Sequence, residues 1–151
     1  MPKDVSYFRK RSFKISSIEA GETNSALIAD STLYVWGCGM HGRLGNGRTS
    51  NLLKPSKIED LSHQKVEQVS LGSSHTLCIL KSGKVLGWGS STGGKLGLEA
   101  ALDRNFLTPK ELIALERERI VQVFAGPFHS LVLNDKGELF SFGNHKDGKL
   151  G

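Results

Sequence analysis

An all-β fold, part of a β-propeller, is predicted by three observations: a glycine-rich pattern that occurs three times, short apolar runs between glycine turns, and an aromatic-glycine pair late in each repeat. In the first repeat the pattern is Gly21, Asn24, Trp36, Gly37, Gly42, Leu44 and Gly45. It returns as Gly72, His75, Trp88, Gly89, Gly94, Leu96 and Gly97, and again as Gly126, His129, Phe142, Gly143, Gly148, Leu150 and Gly151. The period, about 50 residues, belongs to propellers, solenoids and arrays. It divides the chain into a basic N-terminal tail or edge strand over 1–14 and three repeats over 15–65, 66–119 and 120–151, the last of them incomplete.

Each repeat opens on a short β-like run, ISSIEAG, VEQVSLG or IVQVFAG, that ends on Gly21, Gly72 or Gly126. A residue without Cβ there permits a turn of positive φ. The second run, ALIA, TLCIL or SLVL, is continuously apolar, which predicts a strand buried on both faces between neighbouring sheets. Hairpin signals follow at Lys81-Ser82-Gly83-Lys84 and Asn134-Asp135-Lys136-Gly137, while Ala29-Asp30-Ser31-Thr32 makes a shorter turn in the first repeat. The third strand, LYVWG, VLGWG or LFSFG, places its aromatic where β propensity and large burial coincide.

Pro55 and Pro109 then mark a fourth strand at an outer edge, where a missing N–H is tolerated. The stretch LIALERER has helical propensity, but its alignment with PSKIEDL favours a strand and loop. Four strands per repeat give about three four-stranded antiparallel blades. A propeller needs about four to eight blades to close. Three would therefore be a portion of a longer propeller, or would be closed by self-association through open blade edges.

Composition narrows the function. Cys38 and Cys78 stand far apart with no metal-ligand spacing, which predicts buried free thiols in a reducing compartment and no metal. No run approaches the roughly 18 to 20 apolar residues of a membrane span, and the start lacks a secretory h-region. An intracellular chain, cytoplasmic or nuclear, is expected. The net charge of +5 is concentrated in residues 1–14, where Lys3, Arg9, Lys10, Arg11 and Lys14 face one Asp4. Arg9, Lys10, Arg11 and Lys14 are candidates for polyanion contact or nuclear import, beside the plainer reading of a solvated terminus.

Gly89 to Lys95 matches the GxxxxGK of a phosphate loop, but Leu96 occupies the magnesium-binding position. The same near-match occurs at Gly37 to Arg43 and Gly143 to Lys149, so a leucine plugging between blades is the better account. His75 and His129 sit three residues after a glycine, where an imidazole would bond the backbone of the adjoining loop. Asn24 fits that role and would be a poor base. No catalytic residue, cofactor site or metal set is assigned. Met40, His41, His145, Lys146 and Asp147 break the pattern in loops, where partner-binding residues tend to sit.

The sequences GSSHTLCILKSGKVLGWGSSTGGKLG and AGPFHSLVLNDKGELFSFGNHKDGKLG resemble the repeat of the regulator of chromosome condensation family, over residues 15–151. Asn24 in place of histidine and Phe142 in place of tryptophan depart from its pattern. The resemblance implies blades of a seven-bladed propeller. It also implies a function in the range of that family: holding partner proteins, guanine-nucleotide exchange on a small GTPase, or nucleosome binding through loops and a basic tail. The exchange residues of the founding member have no matched positions here. The expected function is therefore a protein-interaction scaffold, with exchange-factor activity or chromatin binding as alternatives.

Overall fold

The structure is a computed structural model that describes residues 5–9, 12–98 and 103–151. It is all-β, with three antiparallel sheets in sequence order. The first blade comprises β1 (Ile15–Ala20), β2 (Asn24–Ala29), β3 (Thr32–Gly37) and β4 (Leu52–Lys57). The second comprises β5 (Val66–Leu71), β6 (His75–Leu80), β7 (Val85–Ser90) and β8 (Asn105–Glu111). The third holds β9 (Ile120–Ala125), β10 (His129–Asn134) and β11 (Leu139–Gly143). Strands within a blade are joined in order by turns, which produces a simple up-and-down meander. Pro55 and Pro109 lie on β4 and β8, each at the edge of its sheet, where no ladder donor is lost.

The core lies between the blades. One cluster joins Ala26, Ile28, Leu33, Val35 and Leu44 of the first blade to Val69, Cys78, Leu80 and Trp88 of the second. A second joins Leu77, Ile79, Leu96 and Leu112 of the second blade to Val123 and Val132 of the third. The middle blade is thus covered on both sides, and β6 is buried along its whole length. In β10 only Ser130, Val132 and Asn134 are buried. The double-sided burial expected of every second strand therefore fails in the third blade, which meets a neighbouring blade on one face only.

The first strands of successive blades are also stitched by side chains. Gln68 donates to the Val123 carbonyl at 2.9 Å and accepts from its N–H at 3.1 Å, and Ser70 Oγ accepts from the Ala125 N–H at 3.0 Å.

Three local expectations change. Ser6–Phe8 is a 3-10 turn, not an edge strand, and its ring packs edge-on against Tyr34 together with Phe13. Ile113–Leu115 is likewise a 3-10 turn, matched by Glu59–Leu61 in the preceding repeat. Gly21, Gly72 and Gly126 do not have positive φ. At Gly72 the requirement is space: a Cβ would lie 2.5 Å from Cε1 of His75 and 2.7 Å from the Gly126 carbonyl. The imidazole occupies the room a side chain would take.

Candidate functional site

The glycine turn after each third strand decides how one blade meets the next. In the first blade Gly42 and Gly45 both adopt positive φ, and the turn reaches forward onto the second blade. There the Arg43 carbonyl accepts two hydrogen bonds, from Trp88 Nε1 at 2.9 Å and from Thr76 Oγ1 at 2.8 Å. Leu44 and Trp88 are fully buried beside it. A Cβ on Gly45 would stand 2.7 Å from Trp88 Nε1, so the indole packs directly on the bare backbone.

The second junction repeats this with one bond fewer. Ser130 Oγ donates to the Lys95 carbonyl at 2.7 Å, while Phe142, in the place of Trp88, has no N–H to offer. Leu96 is buried and Gly97 faces the Phe142 ring.

His75 lies in this second junction. Its Nε2 is 2.8 Å from Ser130 Oγ, whose proton is already committed to the Lys95 carbonyl. His75 is therefore the Nε2–H tautomer and donates to Ser130, which leaves Nδ1 buried without a partner. Burial, with help from the nearby charges of Lys95 and His129, lowers its pKa to about 3. The partner is thus a hydroxyl on the next blade, not the backbone of the adjoining loop. Asn24 does not do the same: it is buried, and both its amide nitrogen and its oxygen lack partners. Its shorter side chain occupies the position without making the bond.

The cations of the turn are buried as well. Arg43 is 6% exposed and Lys95 is 5% exposed. Arg43 donates through Nη1 to Thr23 Oγ1 at 2.7 Å and through Nε to the Met40 carbonyl at 2.9 Å; Lys95 Nζ donates to Ser74 Oγ at 2.8 Å. Burial, and then the charge of Arg43, pull the Lys95 pKa down against the opposing influence of Asp103. In the third blade Phe128 replaces the hydroxyl residue, and Lys149 pairs instead with Asp147 at 3.5 Å.

A model of the regulator of chromosome condensation repeat matches residues 30–79 and 82–133, and a second model of that repeat matches 66–95 and 120–149. The chain belongs to this repeat family. Among its relatives is the ultraviolet-B receptor UVR8 of Arabidopsis thaliana, 34% identical over 140 residues that cover 91% of this chain and 31% of that protein. The probable E3 ubiquitin-protein ligase HERC3 of Homo sapiens is 34% identical over 127 residues, 83% of this chain and 12% of that protein.

Among solved structures, Prp20p of Saccharomyces cerevisiae, known for binding Gsp1p and histones, superposes with a TM-score of 0.75. The two are 26% identical over 91% of this chain and 34% of that one. Human WBSCR16 gives a TM-score of 0.79 over 88% of this chain and 34% of that one; at 24% identity it bears on the fold alone. The chain spans about a third or less of these relatives.

Within the regulator of chromosome condensation repeat, the candidate partner-binding residues occupy the same kind of turn in two blades. Met40 and His41 lie in the 3-10 turn Met40–Gly42, with Met40 55% exposed and His41 exposed at positive φ. His145, Lys146 and Asp147 lie at the corresponding turn Lys146–Gly148 of the third blade, all exposed. The second blade's turn, Thr92–Gly94, stands between them in repeat order. Arg9 and Lys14 are exposed, the Lys14 N–H meeting the Asp30 carboxylate at 3.2 Å; Lys10 and Arg11 lie outside the described residues.

Sequence reasoning missed the carbonyl grip of Thr76 and Ser130. Its signal was present: Ser25, Thr76 and Ser130 all carry a hydroxyl directly after the Asn24, His75 or His129 position. Among the described residues no group of three His, Cys, Asp or Glu side chains converges as a metal set would require.

Proposed function

We propose that this chain is a non-catalytic, protein-binding segment of a regulator of chromosome condensation propeller that presents the turns around Met40–His41 and His145–Asp147 to a partner. The reading is carried by one contrast. The repeating residues Leu44, His75, Trp88 and Leu96 are buried between blades, whereas these five non-repeating residues are exposed on turns at one repeat position. Loops on a rigid scaffold can vary without disturbing the core beneath them. Affinity capture with the native chain and with a Met40→Ala, His41→Ala, Lys146→Ala, Asp147→Ala variant is the test. Loss of captured proteins at unchanged thermal stability is expected, and an unchanged set refutes the assignment to these turns.

The likeness to Prp20p, which binds Gsp1p and histones, favours a second reading: nucleotide exchange on a small GTPase with chromatin contact through the basic segment. Nucleotide release measured over a panel of small GTPases addresses exchange, and no acceleration rejects it. For chromatin, Arg9, Lys10, Arg11 and Lys14 should be changed to Gln while Phe8 and Phe13 are kept, because those rings pack on Tyr34. Each lost phosphate contact flattens the salt slope of DNA binding by about 0.9. An unchanged slope removes the tail from the interface.

A further inference from the structure

Arg43 and Lys95 occupy one position of the repeat and are brought to the same end of β6. The Arg43 carbonyl is held by Thr76, and Lys95 Nζ donates to Ser74 Oγ just ahead of that strand. Arg43 lies close enough for its charge to disfavour the Lys95 ammonium. Both side chains are more than nine-tenths buried, a state that long cations reach mostly when an opposite charge pairs with them.

Neither cation forms an ion pair among the described residues; their partners are hydroxyls and a carbonyl. Asp103 is the carboxylate that acts on Lys95, but its Oδ1 accepts from the Gly93 N–H at 3.2 Å. Two buried cations therefore stand against one carboxylate that is engaged elsewhere. The sealed polar atoms without a partner among the described residues belong to Asn24 and His75. Arg43 Nη2 has no acceptor there and is not one of them, so its N–H groups open to solvent beside the exposed Thr23, Met40 and His41.

The third blade shows which group such a cation takes. Asp147 stands where the first two turns have His41 and Gly93, at φ 63° beside 61° and 72°, and its carboxylate pairs with Lys149 at 3.5 Å. The first and second turns hold no carboxylate at that position.

We infer that Arg43 and Lys95 form a cationic cleft on the turn side of the first two blades that takes a carboxylate of a partner, an aspartate or glutamate in an acidic segment of another protein. The segment supplies from outside the group that Asp147 supplies within the third turn. Arg43 is prepared for it: Nε and Nη1 are already fixed by the Met40 carbonyl and Thr23, which leaves the planar guanidinium held with Nη2 outward. The inference rests on the reading of the Met40–His41 turn as a partner surface and adds the chemistry of what that surface binds.

Fluorescence anisotropy of a labelled polyglutamate peptide of about 10 residues, at about 50 mM salt where attraction between charges is less screened, tests this. The native chain should bind it. Arg43→Gln and Lys95→Gln should each weaken binding at least about tenfold, as loss of a desolvated charge partner does. Lys65→Gln, at an exposed lysine on the opposite edge of the second blade, should leave binding unchanged. A second variant guards against a buried cation whose loss unfolds a blade. His41→Asp with Gly93→Asp changes two exposed positions already at positive φ and gives each turn the carboxylate that the third has. It should fold by circular dichroism and bind the peptide at least about tenfold more weakly. No binding by the native chain, equal weakening by Lys65→Gln, or unchanged binding by the aspartate variant overturns the inference. Tighter binding of an oligothymidylate of equal charge, lost in the same variants, overturns it by assigning the cleft to phosphodiesters. Capture of cellular partners that falls with the Met40 and His41 changes but not with Arg43→Gln overturns the acidic chemistry alone and leaves the turns as the partner surface.

Discussion

Removing both donors that grip the Arg43 carbonyl should cost more than the sum of removing each alone. Thr76→Val deletes one hydrogen bond, worth about 1 kcal/mol, and leaves the carbonyl satisfied by the Trp88 indole. Trp88→Phe deletes the other bond and leaves part of the buried indole volume empty, for a total of about 2 to 3 kcal/mol. In the double variant the buried carbonyl has no donor left, which adds a desolvation penalty of about 1 to 3 kcal/mol that neither single change incurs. The coupling in a double-mutant cycle should therefore reach about 1 to 3 kcal/mol. Urea unfolding followed by far-ultraviolet circular dichroism measures it, with the m value checked for constancy across the four proteins. Additivity within about 0.5 kcal/mol would refute the shared acceptor.

Acid should weaken the fold through His75. Below about pH 6.5 the unfolded chain binds a proton there that the folded chain refuses until its own pKa of about 3. Stability present above pH 6.5 is then lost by about 1.4 kcal/mol per pH unit as pH falls toward 3, and His75→Gln should flatten that part of the profile in urea titrations. Gly45→Ala should destabilise by about 2 to 4 kcal/mol, from a positive φ and a clash with Trp88. Gly97→Ala, whose Cβ would lie 3.1 Å from the Phe142 ring, should cost less; equal melting temperatures would contradict the packing. Asn24→His should stabilise by about 1 kcal/mol, because the longer ring can reach the Thr76 hydroxyl as His75 reaches Ser130. A lower melting temperature would show that the first junction cannot admit the ring.

The blades were legible in the sequence because the repeat fixes burial and turns together. Leu96 could be placed between blades from its three occurrences alone, since a catalytic leucine in a metal position is chemically empty. The edge strands followed from Pro55 and Pro109, which cannot serve an inner ladder. What stayed hidden depends on contacts across the repeat boundary. Nothing in the order of residues says that His75 would donate to Ser130, because the distance between blades is a tertiary quantity. Tyr7, Phe8 and Phe13 have no periodicity, so their packing on Tyr34 was invisible. Nothing in the sequence marks Arg43 and Lys95 as buried, yet burial of their aliphatic stems and a carbonyl used as an anchor place them inside a junction.

The forward reach of each glycine turn also orders events during synthesis. The turn bearing Leu44 belongs to one blade, but the indole and hydroxyl that hold it are encoded about 30 to 45 residues later. At translation rates of about 5 to 20 residues per second, that apolar turn waits for roughly 2 to 9 seconds before its receiver has been made. Each newly finished blade therefore leaves the ribosome with a sticky leading edge, and the next blade to emerge quenches it. The hand-over runs from an earlier blade to a later one at both junctions, so an apolar turn stays uncovered in the nascent chain until the next blade has been made.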